Sequence, residues 1–197
     1  MKTNPVLLDV PMELKTERLL LRAPRAGDGS IVFPQVRDSL AELKPWMPWA
    51  KDDYKESDAE EWCRKSAAHF LAREQFQFLM FLREASAHIG NIGLFKFNWD
   101  VPSCEVGYWL QTGRTGRGYM SEAVKGLTEF AYATFKAARV QLLTDDRNER
   151  SFKVAERCGY QLEGTLRCDC RRSEGNLRNT RVYSKLNPEA WTALPNQ

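Results

Sequence analysis

The stretch Glu105–Phe130, EVGYWLQTGRTGRGYMSEAVKGLTEF, constrains this chain more than any other. Cys104, Val106, Tyr108 and Leu110 alternate with Glu105, Gly107, Trp109 and Gln111, the two-residue period of a strand. A glycine-rich turn follows, Gly113-Arg114-Thr115-Gly116-Arg117-Gly118. Then Met120, Ala123, Val124, Leu127, Phe130 and Ala131 recur at helical spacing. A helix start exposes main-chain N–H groups and the positive end of the helix dipole. Glycines let the backbone approach a ligand closely. Arg114 and Arg117 add positive charge. Strand, basic glycine turn and helix together predict a phosphate-binding corner; read blandly, they are a flexible connection.

Two familiar phosphate loops are excluded. A Walker loop needs Gly-Lys-Ser/Thr, and Gly118-Tyr119-Met120 stands there instead. The dinucleotide fingerprint needs a third glycine or alanine where Ser121 stands. The run resembles the diphosphate loop of the GNAT superfamily, the acyl-CoA-dependent N-acetyltransferases, whose pattern is Gln/Arg-x-x-Gly-x-Gly/Ala. That pattern falls on Thr115-Gly116-Arg117-Gly118-Tyr119-Met120, keeping the central Gly118 and departing at both flanks. GRGYMSEAV is similar to the RimJ/RimL branch, as is Thr16-Glu17-Arg18-Leu19-Leu20-Leu21-Arg22 near the start. So is Asp146-Arg147-Asn148-Glu149-Arg150-Ser151 with Gly159-Tyr160 and Glu163-Gly164.

Composition fits an ordinary globular enzyme. The 197 residues suffice for one domain, with 43% hydrophobic and 28% charged residues. A net charge of +3 is too small to argue for nucleic acid. No apolar run reaches membrane-spanning length, and Met1–Val10 lacks signal-peptide architecture, so a cytoplasmic protein is expected. The five cysteines are scattered and do not read as a disulfide framework. Cys168 and Cys170 read as same-facing strand residues. His69 and His88 have no ligand spacing, so neither a metal nor a Ser-His-Asp hydrolase is expected.

Taken in order, 14–23 predicts a first strand ended by Pro24. Residues 28–43 predict a helix that Pro34 kinks or breaks. Leu43-Lys44-Pro45-Trp46-Met47-Pro48-Trp49-Ala50 is a stiff aromatic segment, either a plug on the sheet end or a wall of an acceptor pocket. Ser57-Asp58-Ala59-Glu60 predicts a capping box opening a helix to about Arg73. Residues 75–83 and 88–97 predict a hairpin, with Gly90 and Gly93 marking a bulge. After the central helix, 139–144 predicts a strand and 151–157 a short helix stopped by Gly159. Residues 160–171 and 179–186 predict two strands joined by a turn at Gly175-Asn176, with Tyr160, Leu162, Gly164, Leu166, Cys168 and Cys170 sharing a face. Pro188 starts the tail. The order implies an α+β layer, and the resemblance makes it the GNAT fold: a mixed, mostly antiparallel seven-stranded sheet flanked by helices and splayed at the central strand. Residues 1–197 then form a single N-acetyltransferase domain with its core at about 14–186.

The resemblance also implies chemistry. Acetyl-CoA is the expected cosubstrate, with no metal. Main-chain groups of Trp109 and Leu110 would hold the thioester and pantetheine, and those of Arg117, Gly118, Tyr119, Met120 and Ser121 the diphosphate. Asn148 would bond the pantetheine arm. Glu105 is the candidate base, against an ordinary strand carboxylate paired with Lys or Arg. The family's usual tyrosine acid is replaced by Ala155, and Ser151 is the candidate substitute. A carboxylate role near Cys170, with Asp169 beside it, is a further family feature. Trp46 and Trp49 would line the acceptor site. Asp52, Asp53, Glu56 and Asp58 either attract a cationic acceptor or favour a helix start. The acceptor is a protein N-terminal amine or a small-molecule amine; a homodimer is one expectation, and membrane or nucleic-acid partners are not expected. Two other readings stand beside this one: a non-catalytic acyl-CoA-binding module, and an RNA-binding face from Arg167, Arg171, Arg172, Arg178 and Arg181.

Overall fold

The computed structural model describes residues 4–172 and 175–192. Its strands are β1 (Glu13–Lys15), β2 (Leu19–Arg22), β3 (Phe76–Leu82), β4 (His88–Asn98), β5 (Ser103–Leu110), β6 (Arg139–Asp145), β7 (Gln161–Arg171) and β8 (Leu177–Leu186). They form one eight-stranded sheet in the order β1-β2-β3-β4-β5-β6-β8-β7. All its ladders are antiparallel except β5–β6. The helices are α1 (Gly29–Asp38), α2 (Leu40–Leu43), α3 (Glu56–Leu71), α4 (Tyr119–Phe135), α5 (Glu149–Arg157) and α6 (Pro188–Thr192). Among the described residues no helix is long and apolar enough to cross a membrane.

Alternation along the central strands decides which core each side chain joins. Phe78 and Met80 of β3 enter the larger core, while Leu79 between them points to the other face. Helix α4 commits Met120, Ala123, Val124, Leu127, Phe130 and Ala131 to the larger core, the stripe spaced for it in the sequence. Leu127 is fully buried, worth roughly 1.5–3 kcal/mol. The smaller core joins Val32 and Val36 of α1, Ala59 and Cys63 of α3, Leu79, and Trp109 of β5.

The structure corrects several expectations. The first strand is two: the chain reverses at Thr16–Arg18, and Glu13 pairs with Arg22. That hairpin makes eight strands of the expected seven. Pro34 lies inside α1, and the helix breaks at Ser39, whose φ of −110° and ψ of 6° leave helical space. Helix α3 starts before the expected Ser57 cap: Lys55 is the N-cap, and the Asp58 carboxylate accepts from its N–H at 2.8 Å. The bulge falls at Gly90, while Gly93 stays in register with Gln77. Strand β7 does not keep one face: its register with β8 slips between Leu162 and Gly164 and again between Leu166 and Cys170. Cys168 sits in the second slip at φ 52°, so it and Cys170 are not regular same-face neighbours. Pro188 opens α6 instead of a tail. The Gly175-Asn176 turn adjoins residues 173–174, outside the described residues.

Candidate functional site

The parallel ladder between β5 and β6 is short. It pairs Ser103 with Arg139, Cys104 with Val140 and Glu105 with Gln141, and ends there. Beyond it, Val106, Gly107, Tyr108 and Trp109 stand on one wall and Leu142, Leu143, Thr144 and Asp145 on the other wall of a cleft of about 710 Å³. The sheet is therefore splayed at its central strand, as expected. Main-chain groups alternate in direction along an antiparallel strand. Gln111 donates to Ile89 O at 2.8 Å, and a Cβ on Gly90 would stand 2.3 Å from Trp109 O. Trp109 thus spends its amide and carbonyl on β4, and the groups of Tyr108 and Leu110 face the split. Of the expected pair Trp109 and Leu110, only Leu110 can offer backbone there, with Tyr108 as its neighbour. Gly90 permits this approach through its φ of +155° and its missing side chain.

Glu105 stands where the ladder ends. It is buried, lines the cleft, and accepts from Lys96 Nζ at 3.1 Å and Gln141 Nε2 at 3.3 Å. The paired strand carboxylate and the cleft carboxylate are the same residue. Across the split, Asn148 caps α5, its Oδ1 accepting from Ser151 N at 3.1 Å. Asn148 and Ser151 both line the cleft. The Tyr108 hydroxyl lies 3.2 Å from both Ser151 Oγ and Ser151 O and has one proton to give to either. Burial pushes the Tyr108 phenol well above its ordinary pKa, so it stays protonated. Tyr108 was missed in the sequence; the only signal was an aromatic hydroxyl on the central strand.

The aromatic segment does reach the site. Trp46, Met47 and Trp49 line the cleft with Tyr54, Trp62 and Trp109. Trp49 meets Trp109 edge-on with centroids 6.3 Å apart and Tyr54 tilted at 5.9 Å. Burial lifts the Tyr54 phenol to about 12. Asp53 and Asp58 also line the cleft, whereas Asp52 is held by Lys44 at 2.7 Å. Behind Trp109, the Asn91 amide in its hydrogen-bonding orientation accepts from the indole Nε1 at 3.2 Å and donates to His88 Nε2 at 2.8 Å. Burial lowers the His88 pKa and keeps the ring neutral. Asn91 is a second residue the sequence did not flag.

The predicted diphosphate corner is an exposed turn beyond the end of β5. Gly116 and Gly118 have φ of +76° and +79°, and no atom lies within 4 Å of a Cβ placed on Gly116. Gly118 is the N-cap of α4. Arg117 and Gly118 are exposed, Tyr119 and Ser121 half-buried, and the Met120 side chain is buried in the core. These five residues do not line the cleft; they stand outside it, at the same end of β5. Of the five arginines of the RNA reading, Arg172 is tied to Asp145 at 2.9 Å, Arg178 lines the cleft, and Arg181 covers the Phe152 ring at 4.1 Å. They do not share one open face. Cys170 donates to Asp169 Oδ2 at 3.0 Å; neither residue lines the cleft, although Cys170 pairs across the ladder with Arg178, which does. Among the described residues no group of His, Cys, Asp and Glu is placed to hold a metal.

A mixed sheet splayed beside a glycine-opened helix is the architecture of the acyl-CoA N-acyltransferases. The model of the acetyltransferase (GNAT) domain matches residues 18–161, and the chain belongs to that family. It is 27% identical over 179 residues to an uncharacterized N-acetyltransferase, p20, of Bacillus licheniformis, covering 89% of this chain and 97% of that protein. Among solved structures, the microcin C7 self-immunity acetyltransferase MccE, in complex with acetyl-CoA and AMP, superposes with a TM-score of 0.81. It is 18% identical, and the match covers 87% of this chain and 94% of that one. RimL, the ribosomal L7/L12 alpha-N-protein acetyltransferase in complex with coenzyme A, gives 0.80 at 19% identity, covering 90% and 97%.

Proposed function

We propose that this protein is a single-domain cytoplasmic enzyme that transfers the acetyl group of acetyl-CoA to a primary amine. The observation that carries this reading is the β5–β6 split ending at Glu105, with a glycine-opened helix start beyond the same strand end. The residues fit the cosubstrate: unpaired main-chain groups face the split, and the turn is open above Gly116. Amides of Arg117 to Ser121 hold the diphosphate, where the helix dipole favours negative charge. Asn148 keeps its Nδ2 to donate to the pantetheine arm. Main-chain groups of Tyr108 and Leu110 hold the arm and the thioester oxygen, stabilising the oxyanion as it forms.

Glu105 takes the proton from the attacking amine, directly or through water. Amine nitrogen bonds to the acetyl carbon, and the carbon–sulfur bond then breaks. Ser151 donates a hydrogen bond to the departing thiolate, with its hydroxyl held by Tyr108. Trp46, Trp49 and Trp109 wall the acceptor side. The RimL likeness favours a protein N-terminal amine; Asp53 and Asp58 beside the aromatic walls favour a small cationic amine. An amine screen that includes N-terminal peptides separates the two, and thiol release from acetyl-CoA reports turnover. Glu105→Gln should reduce kcat while leaving CoA affinity within about twofold, because base catalysis contributes roughly 10²–10⁴-fold. A pH–rate profile unaltered by this change removes Glu105 as base. CoA binding without turnover on any amine favours the binding-module reading.

A further inference from the structure

The turn between β1 and β2 packs against the start of α4. Glu122, in the first turn of that helix, accepts from Thr16 Oγ1 at 2.6 Å, Arg18 N at 2.7 Å and Arg18 Nε at 2.6 Å. Burial opposes ionisation of Glu122, but these donors outweigh it and hold its pKa below the ordinary carboxylate range. The Arg18 guanidinium, so anchored, lies 4.7 Å from the Tyr119 ring centroid and donates through Nη1 to the carbonyl of Arg117 at 3.0 Å. That last bond matters for the loop. In a trans peptide the carbonyl and the following N–H point in opposite directions. Holding the Arg117 carbonyl toward Arg18 therefore turns the Gly118 N–H away from it, to the open side of the turn. Gly118 follows this peptide at φ +79°, and glycine occupies positive and negative φ about equally, so a flip that changes only ψ of Arg117 and φ of Gly118 is otherwise open to the plane. A flipped plane would present a carbonyl oxygen to an anion.

We infer that Arg18 is a positioning residue for coenzyme A: clamped by Glu122, it presets the Arg117–Gly118 peptide so that its N–H faces the diphosphate. This rests on the acetyltransferase reading above. Arg18 acts by orientation and not by charge, since Glu122 neutralises it at contact distance. The two modes predict opposite signs for Glu122→Gln. An orienting Arg18 loses its anchor, and CoA binds more weakly. A charge-donating Arg18 is freed of its counterion, and CoA binds more tightly.

The test is calorimetric titration of the full chain with CoA. Arg18→Ala and Glu122→Gln should each raise Kd about tenfold, and the double variant no more than either alone, because both remove one device. NMR titration with S-acetylpantetheine, which carries no diphosphate, should give unchanged affinity in the variants; a general loosening of the fold would weaken it as well. Should Arg18→Ala not fold, Arg18→Lys keeps the charge but cannot bridge Glu122 and the Arg117 carbonyl through a rigid fork, and should weaken CoA likewise. An unchanged Kd in the arginine variants, or tighter binding in Glu122→Gln, overturns the proposal while leaving the enzyme reading standing. A wild-type chain that binds no CoA removes both.

Discussion

At the scale of single residues, the site is decided by pairs distant in sequence. Ser151 alone is a helix-start hydroxyl; its contact with Tyr108 across the split fixes where its Oγ sits. The single Tyr108 proton goes either to Ser151 O or to Ser151 Oγ, and in the second arrangement the serine proton is left for the cleft. Tyr108→Phe should then lower kcat about tenfold with KM for acetyl-CoA unchanged, and Ser151→Ala should add little to it. The removed hydrogen bond contributes only about 1 kcal/mol to stability, so the variant should fold. Equal kcat in wild type and Tyr108→Phe takes Tyr108 out of the mechanism. Glu105 and Trp49, which both line the cleft, stood out in the sequence because a carboxylate on the central strand and a proline-stiffened tryptophan are locally conspicuous. Tyr108 and Asn91 were not, because their roles consist of partners that no local pattern announces.

At the scale of elements, β5, its turn and α4 were read correctly because each is written in a local code: alternation, glycines, helical spacing. Gly118 shows how such a code meets the site. Its φ of +79° disfavours any side chain, yet the nearest atom to an added Cβ is Arg18 Nη2 at 3.5 Å. Gly118→Leu should therefore cost only about 1–2 kcal/mol of stability, the left-handed penalty for an L-residue. Its bulk should nevertheless abolish CoA binding. Calorimetry showing wild-type affinity in a folded Gly118→Leu would mean the diphosphate does not sit there. The hairpin at Thr16–Arg18 escaped notice because it contains neither glycine nor proline. The break at Ser39 escaped because Pro34 looked the better breaker, although α1 continues past this proline, the sixth of its ten residues.

At the scale of the whole molecule, the sheet is unevenly protected. Strands β3 to β5 are buried between packed side chains, whereas β7 is an edge strand exposed at all but one of its positions and paired with β8 alone. Local opening follows burial and pairing. Native hydrogen exchange should find the β7 amides the least protected of the long strands and those of β4 among the most. Protection of β7 equal to that of β4 would instead indicate that a second copy covers this edge.

The sequence by itself determined the order of most elements, the stripe that α4 buries and the place of the glycine corner, because short-range periodicity and backbone conformation are set by neighbouring residues. Only the tertiary structure decided where the β5–β6 ladder stops, that Trp109 turns its backbone to β4, and that Arg18 meets Arg117 and Glu122. Those depend on register and on contacts between residues about a hundred positions apart, such as Arg18 and Glu122 at a separation of 104, and no local pattern in the chain encodes them.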